Sequence, residues 1–255
     1  MKNNLNISIV VPCYNEAKRI EKGLIDTMLE YVKKDPRIKE IIIVDDGSAD
    51  DSREIIKSKY LKTNPNLTLI EAPHQGKAFT LITGIKSATQ QYVLLSDIDL
   101  ATPLTELDKL TAAVDEGYKI AIGSRHTRRE GAPLLRKLMS SGYMFLRSFF
   151  INLQGVTDTQ CGFKLYDRQA ALSVIDQLRV FKRKKLTTGR VVAASFDLEF
   201  LFVCTKLGFK IKEVPVAWKH VDTENVGDYV RDGVRTMKDI LLIKYYDITG
   251  KYNQT

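Results

Sequence analysis

The sequence predicts an α/β fold, with a mostly parallel central sheet flanked by helices. Three observations carry that expectation. Short β-branched runs alternate with longer helical patterns through the first half, and polar clusters follow directly on those runs. No repeat, low-complexity tract or Gly/Ser-rich linker interrupts the chain. Its 255 residues are enough for one good core, and 44% hydrophobic with 27% charged residues is an ordinary globular balance. We therefore expect one continuous domain over residues 1–255, with a change of character between residues 1–125 and 126–255.

The strand-like runs are ISIVV (7–11), EIIIVD (40–45), LTLIE (67–71), YVLLSD (92–97) and KIAIG (119–123). Helical patterns lie between them, at 16–34, 50–62, 77–89 and 104–116. Such alternation reads as βαβ units, whose ligands bind at the carboxyl ends of the strands. The polar clusters PCYNE, DDGSADD, DID and GSRHTRR fall at those ends. The second half opens with an aromatic-rich helix at 134–153 and continues through GVTDTQCGFKLYD (155–167), which is given no element. A helix near 168–178 precedes the basic segment RVFKRKKLTTGR (179–190), and FDLEFLFVCTKLG (196–208) reads as helical. KIKEVPVAWKH (210–220) alternates like a strand, with Pro215 arguing for a sheet edge. The last pattern, about 226–248, is a long helix with apolar Val230, Val234, Met237, Leu241 and Tyr245.

A net charge of +8 suggests an anionic partner: nucleic acid, a membrane surface or a phosphorylated substrate. Cys13, Cys161 and Cys204 lie far apart with no CxxC pair or Cys/His cluster, so a structural zinc site is not expected. Without a disulfide framework, and with no signal-type apolar stretch at the start, the reducing cytosol is the default compartment. The apolar-rich 134–153 stretch contains Arg136, Lys137 and Arg147 and makes a poor spanning helix. HQGKAF (74–79) fails the P-loop pattern, because position 71 is Glu71 and Lys77 is followed by Ala78. No GxGxxG follows a strand, and no GxSxG elbow or kinase signature is present.

The acidic clusters are the informative residues. DDGS (45–48) is read equally well as an Asx turn with a helix cap or as a binding element. In DID, alternate residues of an extended segment point the same way, so Asp97 and Asp99 would face one site. Two acidic clusters on one rim repel unless a cation or ligand separates them. Magnesium and manganese bind through one or two carboxylates plus substrate phosphates, which suits this pattern. Lys77 opens a helix from which it can reach a phosphate.

VVPCYNE, IVDDGSADDS, HQGKAF, SDIDLATP and GSR, in this order, resemble a family 2 glycosyltransferase with the GT-A fold. DTQCGFKLYDRQAA, FDLEFLF and EVPVAWKH resemble the polyprenyl-phosphate glycosyltransferases, most nearly the dolichyl-phosphate β-glucosyltransferase type. The QxxRW signature of processive synthases is absent. The resemblance covers nearly the whole chain. It implies that residues 1–125 bind the nucleotide sugar and 126–255 the acceptor. It places the nucleoside on Pro12, Tyr14, Glu16, Asp45 and Asp46, and the diphosphate with its Mg2+ or Mn2+ on Asp97 and Asp99. Arg125 then lies near the phosphates, and Arg136 meets the acceptor phosphate, with Arg128 and Arg129 as alternatives. Asp158, Gln160 and Lys164 line the sugar and acceptor side, and Trp218 and His220 lie in the family's tryptophan-containing strand.

The implied activity is inverting transfer of a hexose, glucose from UDP-glucose foremost, onto a polyprenyl phosphate such as dolichyl or undecaprenyl phosphate. Asp158 would orient or deprotonate the acceptor. Relatives of this type often carry transmembrane helices, and here peripheral docking at the cytoplasmic face of an anionic membrane is expected instead. The aromatic-rich 134–153 helix and the basic run Lys182–Lys185 would serve it, each charge contributing about 1 kcal/mol. A GT-A enzyme acting on a glycan or protein remains the alternative. A basic nucleic-acid-binding module is a remote one, disfavoured by the acidic rim, so no nucleic-acid partner is expected.

Overall fold

The computed structural model describes residues 5–125, 150, 151, 153–183, 193–219 and 229–252. A seven-stranded sheet runs through the centre in the order β3-β2-β1-β4-β6-β5-β7. Its strands are β1 (Ile7–Cys13), β2 (Ile38–Asp46), β3 (Leu67–Ala72), β4 (Tyr92–Leu95), β5 (Ile120–Ser124), β6 (Lys164–Asp167) and β7 (Ile211–Pro215). All run parallel except β6, which pairs antiparallel with both β4 and β5. One strand of the second half is therefore inserted between two of the first. Pro215 ends β7, an edge strand where its missing N–H breaks no ladder, as its sequence position suggested.

The helices are α1 (Ala17–Glu21), α2 (Leu24–Lys34), α3 (Ser52–Ile55), α4 (Lys77–Ser87), α5 (Leu107–Asp115), α6 (Arg168–Gln177), α7 (Val180–Arg183), α8 (Ala193–Lys206) and α9 (Tyr229–Ile248). Two apolar layers clothe the sheet. One packs α4, α6, α8 and α9 on Val10, Ile42, Val93 and Tyr166; the other packs α2 and α5 on Ile9, Ile41, Leu94 and Leu165. Alternation along each strand splits the side chains between the layers, as a sheet covered on both faces requires.

The structure corrects several expected boundaries. The single helix at 16–34 is two, because Gly23 takes a left-handed φ of +83° between them. The helix at 50–62 widens after Ile55 into six residues of π-helix, Ile56–Leu61. DID does not continue β4, which stops at Leu95. Residues 155–167, given no element, contain β6. The expected helix over 134–149, and the run from residue 184, lie outside the described residues.

Candidate active site

The loops after β1 and β2 are laced into one ledge. The Asn15 amide donates to Ser48 Oγ (2.9 Å), while Asn15 Oδ1 accepts from the Ala49 amide (2.8 Å). Glu16 N donates to Ser52 Oγ (2.8 Å) and Ala17 N to Asp50 Oδ2 (3.0 Å). Pro12 sits within β1 opposite Val44, and the next register pair, Cys13 and Asp45, leads to the rim. Asp45 is fully buried. Its Oδ2 accepts from the Ser48 amide (3.0 Å) with Arg53 Nε 3.5 Å away, so the turn-forming reading of DDGS holds for this oxygen. Its Oδ1 is buried with no hydrogen-bond partner among the described residues. Such an oxygen costs about 1–3 kcal/mol unless a ligand N–H meets it. An imide proton of uracil or guanine has that form.

Asp46, its neighbour, has both oxygens occupied. They accept from the amides of Gln75 (2.8 Å) and Gly76 (2.9 Å), and so build the turn that starts α4. Gly76 holds a φ of +95°, which favours glycine. The same turn brings His74 onto Tyr14, the rings stacked at 4.3 Å with 17° between planes. Tyr14 is 43% exposed, so an open aromatic wall stands next to the Asp45 position. Glu16 is partly buried, and burial pushes its carboxyl upward against the opposing charge of Arg19 (2.5 Å), with Asp99 adding to the rise.

Asp97 and Asp99 meet the rim through a turn. The Leu100 amide donates to the Asp97 carbonyl (3.1 Å), and Leu100 takes a φ of +50°. Ile98 is buried beneath while Asp99 Oδ1 accepts from the Ala101 amide (3.0 Å). The segment after β4 is therefore a tight turn rather than the extended strand end that alternation assumed. Lys77 Nζ lies 2.5 Å from Asp97 Oδ1. Burial works against the Asp97 charge, but Lys77, with Lys164 and Arg125 farther off, holds its carboxyl below the ordinary range. A Cβ on Gly162 would overlap the Asp97 carboxylate, so a larger residue there would force that side chain to move. No group of three or more metal-type side chains occurs among the described residues. Two hard carboxylates one residue apart, one of them already paired with a cation, nevertheless fit Mg2+ or Mn2+ completed by diphosphate oxygens.

Arg125 and Asp158 form a clamp. The Arg125 amide (3.0 Å) and Nε (2.8 Å) donate to Asp158 Oδ2, while Nη2 (2.8 Å) and the Gln160 amide (3.1 Å) donate to Oδ1. Burial opposes the charge on Asp158, yet Arg125 and these amides keep its carboxyl below the usual range. A carboxylate so engaged is a poor proton acceptor. Glu213 on β7 supports the clamp by accepting from Thr157 N, Thr157 Oγ1 and the Asp158 amide. The Arg125 guanidinium also lies 5.7 Å from the Trp218 ring centre.

Beside Asp97 opens a cavity of about 210 Å³, lined by Lys77, Leu81, Leu95, Gln160, Gly162, Lys164 and Asp197. Lys164, expected as an acceptor-phosphate ligand, is 1% exposed and donates its ammonium to Asp197. Asp197 is the site residue that sequence reasoning missed. Its signal was faint: one of two acids, with Glu199, in the apolar run FDLEFLF, thirty-odd positions from its partner. Arg128, Arg129, Arg136, His220 and the basic run beyond Arg183 lie outside the described residues.

The family model of glycosyl transferase family 2 matches residues 8–174, which include the ledge, the DID turn and the clamp. A dolichyl-phosphate beta-glucosyltransferase of Trichomonas vaginalis is 34% identical over 96% of this chain and 75% of its own length. The human protein of the same description is 30% identical over 96% of this chain and 77% of its own. Among solved structures, Mycobacterium tuberculosis glucosyl-3-phosphoglycerate synthase in complex with UDP superposes with a TM-score of 0.65. It is 16% identical, over 96% of this chain and 82% of that one. The same synthase has been crystallised with Mn2+, UDP-glucose and phosphoglyceric acid (TM-score 0.65, 16% identity, 96% and 81% coverage). The chain belongs to glycosyl transferase family 2.

Proposed function

We propose that this enzyme transfers glucose from UDP-glucose to a polyprenyl phosphate, inverting the anomeric centre. The carrying observation is the presence on one rim of a buried acceptor with no partner among the described residues, Asp45 Oδ1, and of an acidic turn paired with a cation. Relatives named dolichyl-phosphate beta-glucosyltransferase over nearly the whole chain support the sugar and the acceptor.

In this reading Asp45 accepts the uracil imide proton, and Tyr14 with His74 flanks the base. Pro12 and Glu16 shape the ledge, and Asp46 acts through the 74–76 turn. Asp97 and Asp99 hold the divalent ion, which when bound would neutralise charge on the departing diphosphate. Lys77, released from Asp97, moves to a phosphate oxygen. Arg125, aimed by Asp158 and stacked near Trp218, adds positive charge where the two anionic substrates meet, and Arg136 is assigned to the acceptor phosphate. A phosphate acceptor is already an anion at neutral pH, so no side chain need remove a proton. Asp158 is then a positioning residue. Gln160, exposed at the cavity mouth, faces the transferred sugar.

No described helix is long and apolar enough to cross a membrane. We assign membrane contact to the aromatic-rich 134–153 segment and the basic 179–190 segment, at the cytoplasmic face of an anionic bilayer. The test is a transfer assay with UDP-glucose, Mn2+ or Mg2+ and a short polyprenyl phosphate in detergent, comparing wild type with Asp99→Ala. Metal-dependent glucolipid that disappears in the variant is expected. Metal-dependent hydrolysis of UDP-glucose without glucolipid would overturn the acceptor while keeping the donor.

A further inference from the structure

We infer that Asp197, held by the buried Lys164, is a sugar-reading residue. It accepts hydrogen bonds from hydroxyls of the hexose in the cavity beside Asp97. This rests on the donor reading above and names residues that would distinguish one hexose from another.

The first argument is cost. Lys164 opens the internal strand β6, paired on one side with Leu95 and on the other with Ile122, and is 1% exposed. Burying an ion pair there is no better for stability than two well-packed apolar side chains. The pair lines the cavity, where a ligand can meet it. The second is valence. Lys164 takes Asp197 Oδ1, and Oδ2 has no hydrogen-bond partner among the described residues. A carboxylate oxygen accepts from hydroxyls, and a carboxylate whose charge is matched by a neighbouring lysine suits a neutral polyol better than a phosphate.

The third argument is rigidity. Glu199, two residues along α8, accepts from the amides of Arg179 (2.6 Å), Val180 (2.8 Å) and Phe181 (2.8 Å) and from Tyr252 Oη (2.7 Å). Two residues before Asp197, Ser195 donates to Asp239 of α9. Asp197 is thus pinned from both sides, as discrimination between close analogues demands. The fourth is place. Lys77 touches Asp97 and lines the same cavity, so a sugar carried by a diphosphate on the DID turn lies within reach of Asp197. Leu81 and Leu95 supply an apolar surface for the C–H face of one ring.

The test measures UDP and UDP-glucose binding calorimetrically in Mn2+ for wild type, Asp197→Asn and Asp197→Ser, with chemical unfolding of each variant to report an intact fold. Lys164 is left in place because it also supports the charge of Asp97. UDP affinity should stay within about twofold of wild type, while UDP-glucose affinity falls about tenfold or more in both variants. Equal weakening of both ligands, or unchanged UDP-glucose binding, overturns the assignment of Asp197 while wild-type UDP binding leaves the donor reading standing. Wild type that binds no UDP overturns both.

Discussion

Asp45 and Asp46 end one strand and are fixed by backbone amides; Asp97 follows another strand and is fixed by a lysine ammonium. The difference separates two jobs on one rim. A carboxylate on amides, as at Asp45 where Arg53 lies 3.5 Å from the same oxygen, is held in place by the backbone, and its remaining oxygen is the one the proposed imide contact would use. A carboxylate paired with a lysine side chain can exchange that cation for another one, which is what the proposed binding of a metal diphosphate would require. Asp46 shows the limit of the first arrangement, because both of its oxygens are spent and its role is architectural.

Breaking the second cluster should cost most. Asp97→Asn removes the charge beneath the diphosphate, and we expect kcat/KM for glucolipid formation to fall about a thousandfold. Gly162→Ala tests the same carboxylate without touching it. The new Cβ, 2.2 Å from Asp97 Oδ2, should displace the carboxylate and lower transfer about a hundredfold in the same assay. Asp45→Asn should weaken UDP binding about tenfold by titration, since one acceptor of the imide proton is lost. Asp46→Ala sharpens the contrast within the pair. The amides of Gln75 and Gly76 lose their acceptor, so chemical unfolding should show a loss of about 1–3 kcal/mol.

The smallest effect is one of pH. The Asp158 carboxyl lies below its ordinary range, so the stability it contributes is complete above about pH 4 and is lost as pH falls through its folded value. The stability gap between wild type and Asp158→Asn should therefore be constant from neutrality down to mild acid and close below that. Asp197 has the opposite sign: burial raises its carboxyl, so acid relieves rather than removes.

The parallel strands were legible because Ile7, Ile41, Leu94 and Ile122 sit in unbroken β-branched or apolar runs bounded by polar clusters. β6 was not, because KLYD is four residues long, begins with a lysine and draws its strand character from neighbours on both sides. The DID turn escaped for a related reason: Ile98 is apolar and buried, so the run looks like continuing strand, while the left-handed Leu100 leaves no compositional trace. Polar residues close to strand ends could be placed at the sheet rim from topology alone. Asp197 could not, since its meaning comes from Lys164 across the interior and one acid within a helix reads as an exposed edge.

The division of labour is tested most directly by titrating uridine, and UDP with Mn2+, into wild type, Asp45→Asn and Asp97→Asn. The account predicts that Asp45→Asn weakens both ligands, whereas Asp97→Asn spares uridine and abolishes the gain from diphosphate and metal. Uridine binding that falls as far in Asp97→Asn as in Asp45→Asn would contradict it.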